Sequence, residues 1–223
     1  MSRSQKTRRA AEFLGLYFLL PALVWWSGTK LYLLILGAMA VGALVLLRRD
    51  PSFDRSSLVR RSPVRENARS ILCRFAILAP LILAATWILT PDLLLRFPRE
   101  RTGLWLAILV GYPWVSVYPQ GLIYRALFLH RYGGLFPQRT LRWFAGGVIF
   151  AFLHIVFENP VAFAVTFVGG LMFTRTHERT GSLLASSLEH ALYGLWLMTT
   201  GWGAFLYPDA VGPAMEALRR GSG

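Results

Sequence analysis

Apolar runs long enough to cross a bilayer recur along the whole chain, and no other feature constrains its fold as tightly. A hydrocarbon core about 30 Å thick takes about 20 apolar residues as a helix. Only helices and closed barrels satisfy every backbone group there. Such runs read as spans at about 11–28, 30–48, 71–90, 103–131, 141–158, 160–175 and 182–198. The chain is 55% hydrophobic and 16% charged, whereas a soluble domain carries about 25% charge. The expected fold is all-α, a polytopic transmembrane bundle of about seven to eight helices.

The net charge of +13 suggests nucleic acid at first sight, but its distribution argues against that partner. Arginines cluster between the apolar runs, where they hold topology and touch anionic lipid. The stretch RRDPSFDRSSLVRRSPVRENARS is the one soluble-looking segment. Pro51 and Pro63 are expected to break any long helix in it, leaving a flexible or surface-lying cytoplasmic loop. With the N-terminus inside, the cytoplasmic side takes Arg3, Lys6, Arg8, Arg9, the loop arginines, Arg131, Arg139, Arg142, Arg175 and Arg179. The other side takes Lys30, Arg96, Arg99 and Arg101. That asymmetry predicts a cytoplasmic N-terminus. The first apolar run continues to Trp26 without a small-residue cleavage site, so it reads as a retained helix rather than a signal peptide. Together these features predict an integral protein of a bacterial inner membrane. The expected organisation is N-terminal helices with the basic loop over 1–99, a core over 100–207, and a frayed tail over 208–223.

Pro113 and Pro119 fall inside the fourth run, so its helix should kink or restart there. A broken helix is tolerated in a bilayer only where its freed backbone groups line a protein cavity. The segment TTGWGAFLY after the last span reads as a short half-helix, and Gly169 and Gly170 as points of close helix approach. Trp25, Trp26, Trp105, Trp114, Trp202 and Tyr207 suit interface belts. Cys73, the single cysteine, reads as a packing residue. His130 and His177 sit at loop edges, where solvent is the expected surrounding.

Arg125, His154 and His190 each lie within an apolar stretch. Ionisable residues there are costly and mark functional sites by default. Two histidines from different helices can bind a metal, activate a water or hold an oxyanion; the plainer reading is packing histidines satisfied by backbone carbonyls. Glu158, four residues after His154, gives the residue types of a zinc site with an open position together with His154 and His190. Spacing supports that set only weakly, and the main reading needs no cofactor. Glu189 points about 100° away from His190 around a helix and is a candidate partner for Arg125.

Three stretches resemble the CAAX-protease and bacteriocin-processing family (CPBP, or Abi) of glutamate-dependent intramembrane peptidases. Phe150 and His154 fit its second motif, phenylalanine, three residues, histidine. Arg125 fits the arginine of the first motif, and His190 the histidine of the third. The wording PQ-x-LIYRALFLHRY, TFVGGLMF and RTGSLLASSLEHALYG extends the resemblance over about residues 100–207. It is similar there to a bacterial branch in which Pro-Gln precedes one retained glutamate. The resemblance implies a glutamate that activates water with help from His154. It also implies that His190 and a polar partner hold the oxyanion, and that Arg125 is structural.

This chain departs from the pattern at the acidic positions, which fall on Gln120 and Gly121, and at the third motif's polar partner, which falls on Gly194. Gly121 stands where the branch has its glutamate. Glutamine accepts no proton and glycine offers no side chain, so activity is expected to be impaired; Glu158 is the candidate replacement carboxylate. The implied function is hydrolysis of peptide bonds in membrane-associated protein substrates. The alternative is an inactive pseudoprotease that binds or scaffolds at the membrane. A transporter would show repeated halves with matched broken helices, and the sequence has no such repeat.

Overall fold

The computed structural model describes residues 2–206; Met1, Tyr207 and the expected tail at 208–223 lie outside the described residues. Among the described residues every regular element is helical. Helix α1 runs through Arg3–Leu14, Gly15–Leu19 and Leu20–Trp26, and α2 is Tyr32–Arg49. Helix α3 is Ser62–Leu89, and α4 runs from Thr102–Tyr112 on to Leu122–Tyr132. Helices α5, α6 and α7 are Arg139–Leu153, Pro160–Thr180 and Leu183–Thr200, with a short α8 at Gly203–Leu206.

Four stretches among the described residues are long and apolar enough to cross a bilayer: Tyr32–Arg49, Ser62–Leu89, Thr102–Leu135 and Arg139–Phe157. They turn apolar side chains outward, where a soluble protein would not: Leu34, Ile77, Ile88 and Val110 are each at least 65% exposed. Helix α7 is more polar because it lies inside the bundle, with Ser186, Ser187, Glu189 and His190 all buried.

Pro63 acts differently from expectation, and in α4 one of the two expected outcomes does not occur. Pro63 sits in the first turn of α3, where its missing N–H costs nothing, so it starts a helix instead of breaking one. In α4 the helix does not restart at Pro113 or Pro119. It widens into a π-type turn at Pro113–Val117, with the Tyr118 N–H reaching the Pro113 carbonyl five residues back. A proline ring clashes with the carbonyl four residues before it, here Val115, and the wider turn relieves that clash. The same device precedes Pro21, at Gly15–Leu19. A longer π-type stretch, Leu122–Tyr132, follows in α4. The Tyr17 hydroxyl donates to the Ile123 carbonyl there, 2.8 Å away, and locks α1 to α4.

The basic loop, expected to be flexible or surface-lying, is ordered. Asp54 caps the turn Arg55–Leu58 and pairs with Arg60. The Leu58 and Arg60 carbonyls accept from the Tyr118 and Ser182 hydroxyls at 3.1 and 2.8 Å. Further ties gather at this end of the bundle: Glu12 with Arg131 at 2.7 Å, Asp50 with His130 at 2.9 Å, and Glu178 with Arg142 at 2.5 Å. Hydrogen bonds from Ser52, and then the contact with His130, hold the Asp50 carboxyl well below the usual range.

Glycines let α5 and α6 close on each other. A Cβ at Gly146 would meet Thr174 Oγ1 at 2.2 Å, and one at Gly170 would meet the Phe150 Cβ at 2.6 Å. Gly170 thus fits the expectation of close approach, whereas the nearest neighbour of a Cβ on Gly169 is Phe173 of its own helix. The contact at Gly170 fixes Phe150, the ring around which the candidate site is built.

Candidate active site

The widened turns of α4 set Tyr112, Ser116 and Gln120, at four-residue intervals, along one face. Gln120 is buried, and its Nε2 donates to the Ser116 hydroxyl at 2.9 Å. Its other amide atom, Oε1, is buried without a protein partner. Gln120 and His154 line one cavity of about 60 Å³, together with apolar side chains of α1 and α2. Ser116 and Tyr112 line a second, larger cavity of about 320 Å³ between α2, α4 and α7.

His154 ends α5, and its Nδ1 donates to the Phe150 carbonyl at 2.7 Å. A neutral imidazole carries one proton. With that proton on Nδ1, Nε2 presents a lone pair.

His190 is arranged in the opposite sense. Arg125, which can only donate, gives a hydrogen bond of 3.0 Å to His190 Nδ1 and one of 3.3 Å to the Ser186 carbonyl. His190 therefore carries its proton on Nε2, which lies 3.3 Å from the Tyr112 hydroxyl. Its ring stacks on Phe173 with centroids 4.6 Å apart. Phe150 stands edge-on to both histidines, 4.9 Å from His154 and 5.3 Å from His190. Arg125 also packs over Phe150 and Phe173, at 5.9 and 5.5 Å.

The glycines at the motif positions face different neighbours. A Cβ on Gly121 would point into α7, 2.8 Å from Leu183 Cδ1, 3.3 Å from Ser187 Oγ and 3.6 Å from the Arg125 guanidinium carbon. Gln120, not Gly121, is thus the motif position beside His154. A Cβ on Gly194 would stand 2.3 Å from the Tyr112 hydroxyl, so Tyr112 occupies the space that a side chain there would take. Sequence reasoning did not single out Tyr112, which reaches His190 across 78 residues and carries no motif.

Several expectations need correction. The helix that would put Glu158 one turn from His154 ends early: a tight turn, His154–Phe157, follows α5, and Glu158 adopts left-handed backbone at φ 50°. Its exposed carboxylate accepts from the Trp25 indole at 2.8 Å. Among the described residues no three His, Cys, Asp or Glu side chains are gathered to hold a metal, so His154, Glu158 and His190 do not form the zinc set. Glu189 is fully buried but bonds to Arg74 of α3 at 2.7 and 2.9 Å, rather than to Arg125. His177 is buried where the last turn of α6 packs against the bundle, and His130 is held by Asp50 against Phe53. Cys73 faces outward from α3.

An all-helical membrane bundle with two histidines and an arginine buried in its interior is the architecture of an integral membrane protein with an internal polar site. Residues 105–196 match the family model described as type II CAAX prenyl endopeptidase Rce1-like. That stretch, which holds Arg125, His154 and His190, is thus similar to the CAAX-type intramembrane proteases, consistent with the CPBP resemblance. No curated protein and no solved structure matches the chain.

Proposed function

We propose that this chain is an intramembrane peptidase of the CAAX-protease kind, slowed because the motif position that shares a cavity with His154 holds Gln120 and no carboxylate. The observation that carries this reading is the shared cavity of Gln120 and His154. In it, the unpartnered Gln120 Oε1 accepts one hydrogen bond from a water. The lone pair on His154 Nε2 takes the water's proton as the oxygen attacks a peptide carbonyl carbon. The carbonyl oxygen becomes an oxyanion near His190, and collapse expels the amine, which leaves with the proton from His154. Glutamine orients the water but takes no proton, so one of two expected bases is lost. General-base catalysis contributes about 10²–10⁴-fold, which sets the size of the deficit.

The substrates are membrane-associated proteins cut near the bilayer. The protein sits in a bacterial inner membrane with its N-terminus and the arginine-rich end of the bundle in the cytoplasm, a placement supported by the charge asymmetry. Residues 100–207 form the peptidase core, with the helices of 1–99 packed beside it.

The test compares the chain as it stands with Gln120→Glu, Gly121→Glu and Gln120→Glu/His154→Ala. Each is offered membrane peptides, prenylated CAAX sequences included, and products are read by mass spectrometry. Gln120→Glu should cut about 10²–10⁴-fold faster than the parent, and His154→Ala should remove the gain. Gly121→Glu should bring none, because its carboxylate would pair with Arg125. A silent Gln120→Glu would sink the peptidase reading. A second reading, a pseudoprotease that binds without cutting, is favoured by the absence of a carboxylate from both motif positions. It predicts peptide capture by the unmodified chain that survives His154→Ala.

A further inference from the structure

Gly194 and Tyr112 form a size-exchanged pair. The glycine leaves a gap on α7 next to His190, and the phenol from α4 fills it so closely that even a methyl group at position 194 would stand 2.3 Å from the hydroxyl. Tyr112 is also the point where the chain of donors around His190 reaches the larger cavity. Arg125 donates to His190 Nδ1, and His190 Nε2 in turn lies 3.3 Å from the Tyr112 hydroxyl. That hydroxyl belongs to a residue lining the cavity of about 320 Å³. Each donor in such a chain is polarised by the one before it, and the first is a buried cation.

From this arrangement we infer that Tyr112 supplies the hydroxyl that stabilises the oxyanion of the tetrahedral intermediate, in the place left vacant by Gly194. The inference rests on the peptidase reading above. His190 Nε2–H donates to the phenol oxygen, and the phenol O–H donates to the oxyanion. A tyrosine reaching in from α4 thus replaces a polar side chain that would otherwise project from α7. Position matters as much as chemistry: Tyr112, Ser116 and Gln120 share one face of α4, so oxyanion donor and water-orienting amide are mounted on the same helix.

Cleavage by the Gln120→Glu chain is the reference assay, with each variant checked for an unchanged unfolding midpoint in detergent. Tyr112→Phe, which removes one oxygen and keeps the ring, should lower kcat about 10²–10³-fold, the loss expected for one oxyanion donor, with KM unchanged. An unchanged kcat, or a change in KM alone, overturns the inference. Tyr112→Ala combined with Gly194→Asn restores a polar group from α7 and should cut faster than Tyr112→Ala alone. A double variant no faster than Tyr112→Ala would overturn the claim that Tyr112 stands in for a side chain at 194. If the Gln120→Glu chain itself is silent, the peptidase reading falls and this inference with it. A cutting Gln120→Glu chain with an equally fast Tyr112→Phe derivative removes this inference alone.

Discussion

His154 and His190 are the same side chain held in opposite senses. His154 gives its Nδ1 proton to a backbone carbonyl and presents a lone pair to a cavity lined by Gln120. His190 accepts a hydrogen bond from Arg125 at Nδ1 and presents an N–H toward Tyr112. The difference comes from the partner on the far nitrogen, an acceptor for one and an obligate donor for the other. Ring identity and burial are alike in both; the second partner decides which is poised to take a proton and which to give one.

The largest predicted effect probes the charge network under His190. Glu189 has a fully buried side chain, and Arg74 is the cation bonded to it. Arg74→Met should cost about 3–5 kcal/mol, as expected when one member of a buried pair is removed, read as unfolding in detergent or bilayers. A cost below about 1 kcal/mol would mean that Arg125, not Arg74, compensates Glu189. Next come the glycines at the two motif positions, Gly194 and Gly121. Gly194→Ala forces the Tyr112 phenol out of its place and should destabilise by about 1–3 kcal/mol. Gly121→Ala meets only the movable end of Leu183 first and should cost less than about 1 kcal/mol. Equal costs would break the contrast between the two positions.

The tautomers themselves can be read from imidazole nitrogen shifts of protein labelled at its four histidines. His154 should show a protonated Nδ1 and His190 a protonated Nε2; the same tautomer at both would refute the comparison drawn above. The smallest effect lies far from both rings, at Asp50. Its folded pKa is depressed, so the unfolded chain binds the proton more readily. The stability it adds is present above the ordinary carboxylate pKa of about 3.9 and is lost as pH falls through the lower folded value. Hydrogen exchange at the loop between α2 and α3 should rise in strong acid, and Asp50→Asn should flatten that rise.

Much of this was legible in the sequence because periodicity and cost are local signals. Apolar runs became helices, and the polar intruders Arg125, His154 and His190 met around Phe150. What escaped depended on partners distant in the chain. Tyr112 is one aromatic among many until α7 brings His190 to it. His177 looked like a loop-edge histidine because its burial depends on how the end of α6 packs. Glu158 looked helical because nothing before Asn159 and Pro160 announces a left-handed residue. The reading of Pro63 failed for a local reason: proline interrupts a helix interior and favours a first turn, and the sequence does not say which turn it occupies.

The burial of Arg125 also bears on how the protein is made. Its hydrogen-bond partners, the Ser186 carbonyl and His190, belong to α7, more than 60 residues further along the chain. A ribosome feeding α4 into the bilayer therefore delivers a guanidinium before anything exists to receive it. An arginine within a span costs up to about 2.5–3.5 kcal/mol on insertion, the most at its centre, a debt that the flanking Leu122, Ile123, Leu127 and Phe128 must carry until α7 arrives. Helix α4 is thus inserted early and seated late, and the polar site closes only as one of the last steps of assembly.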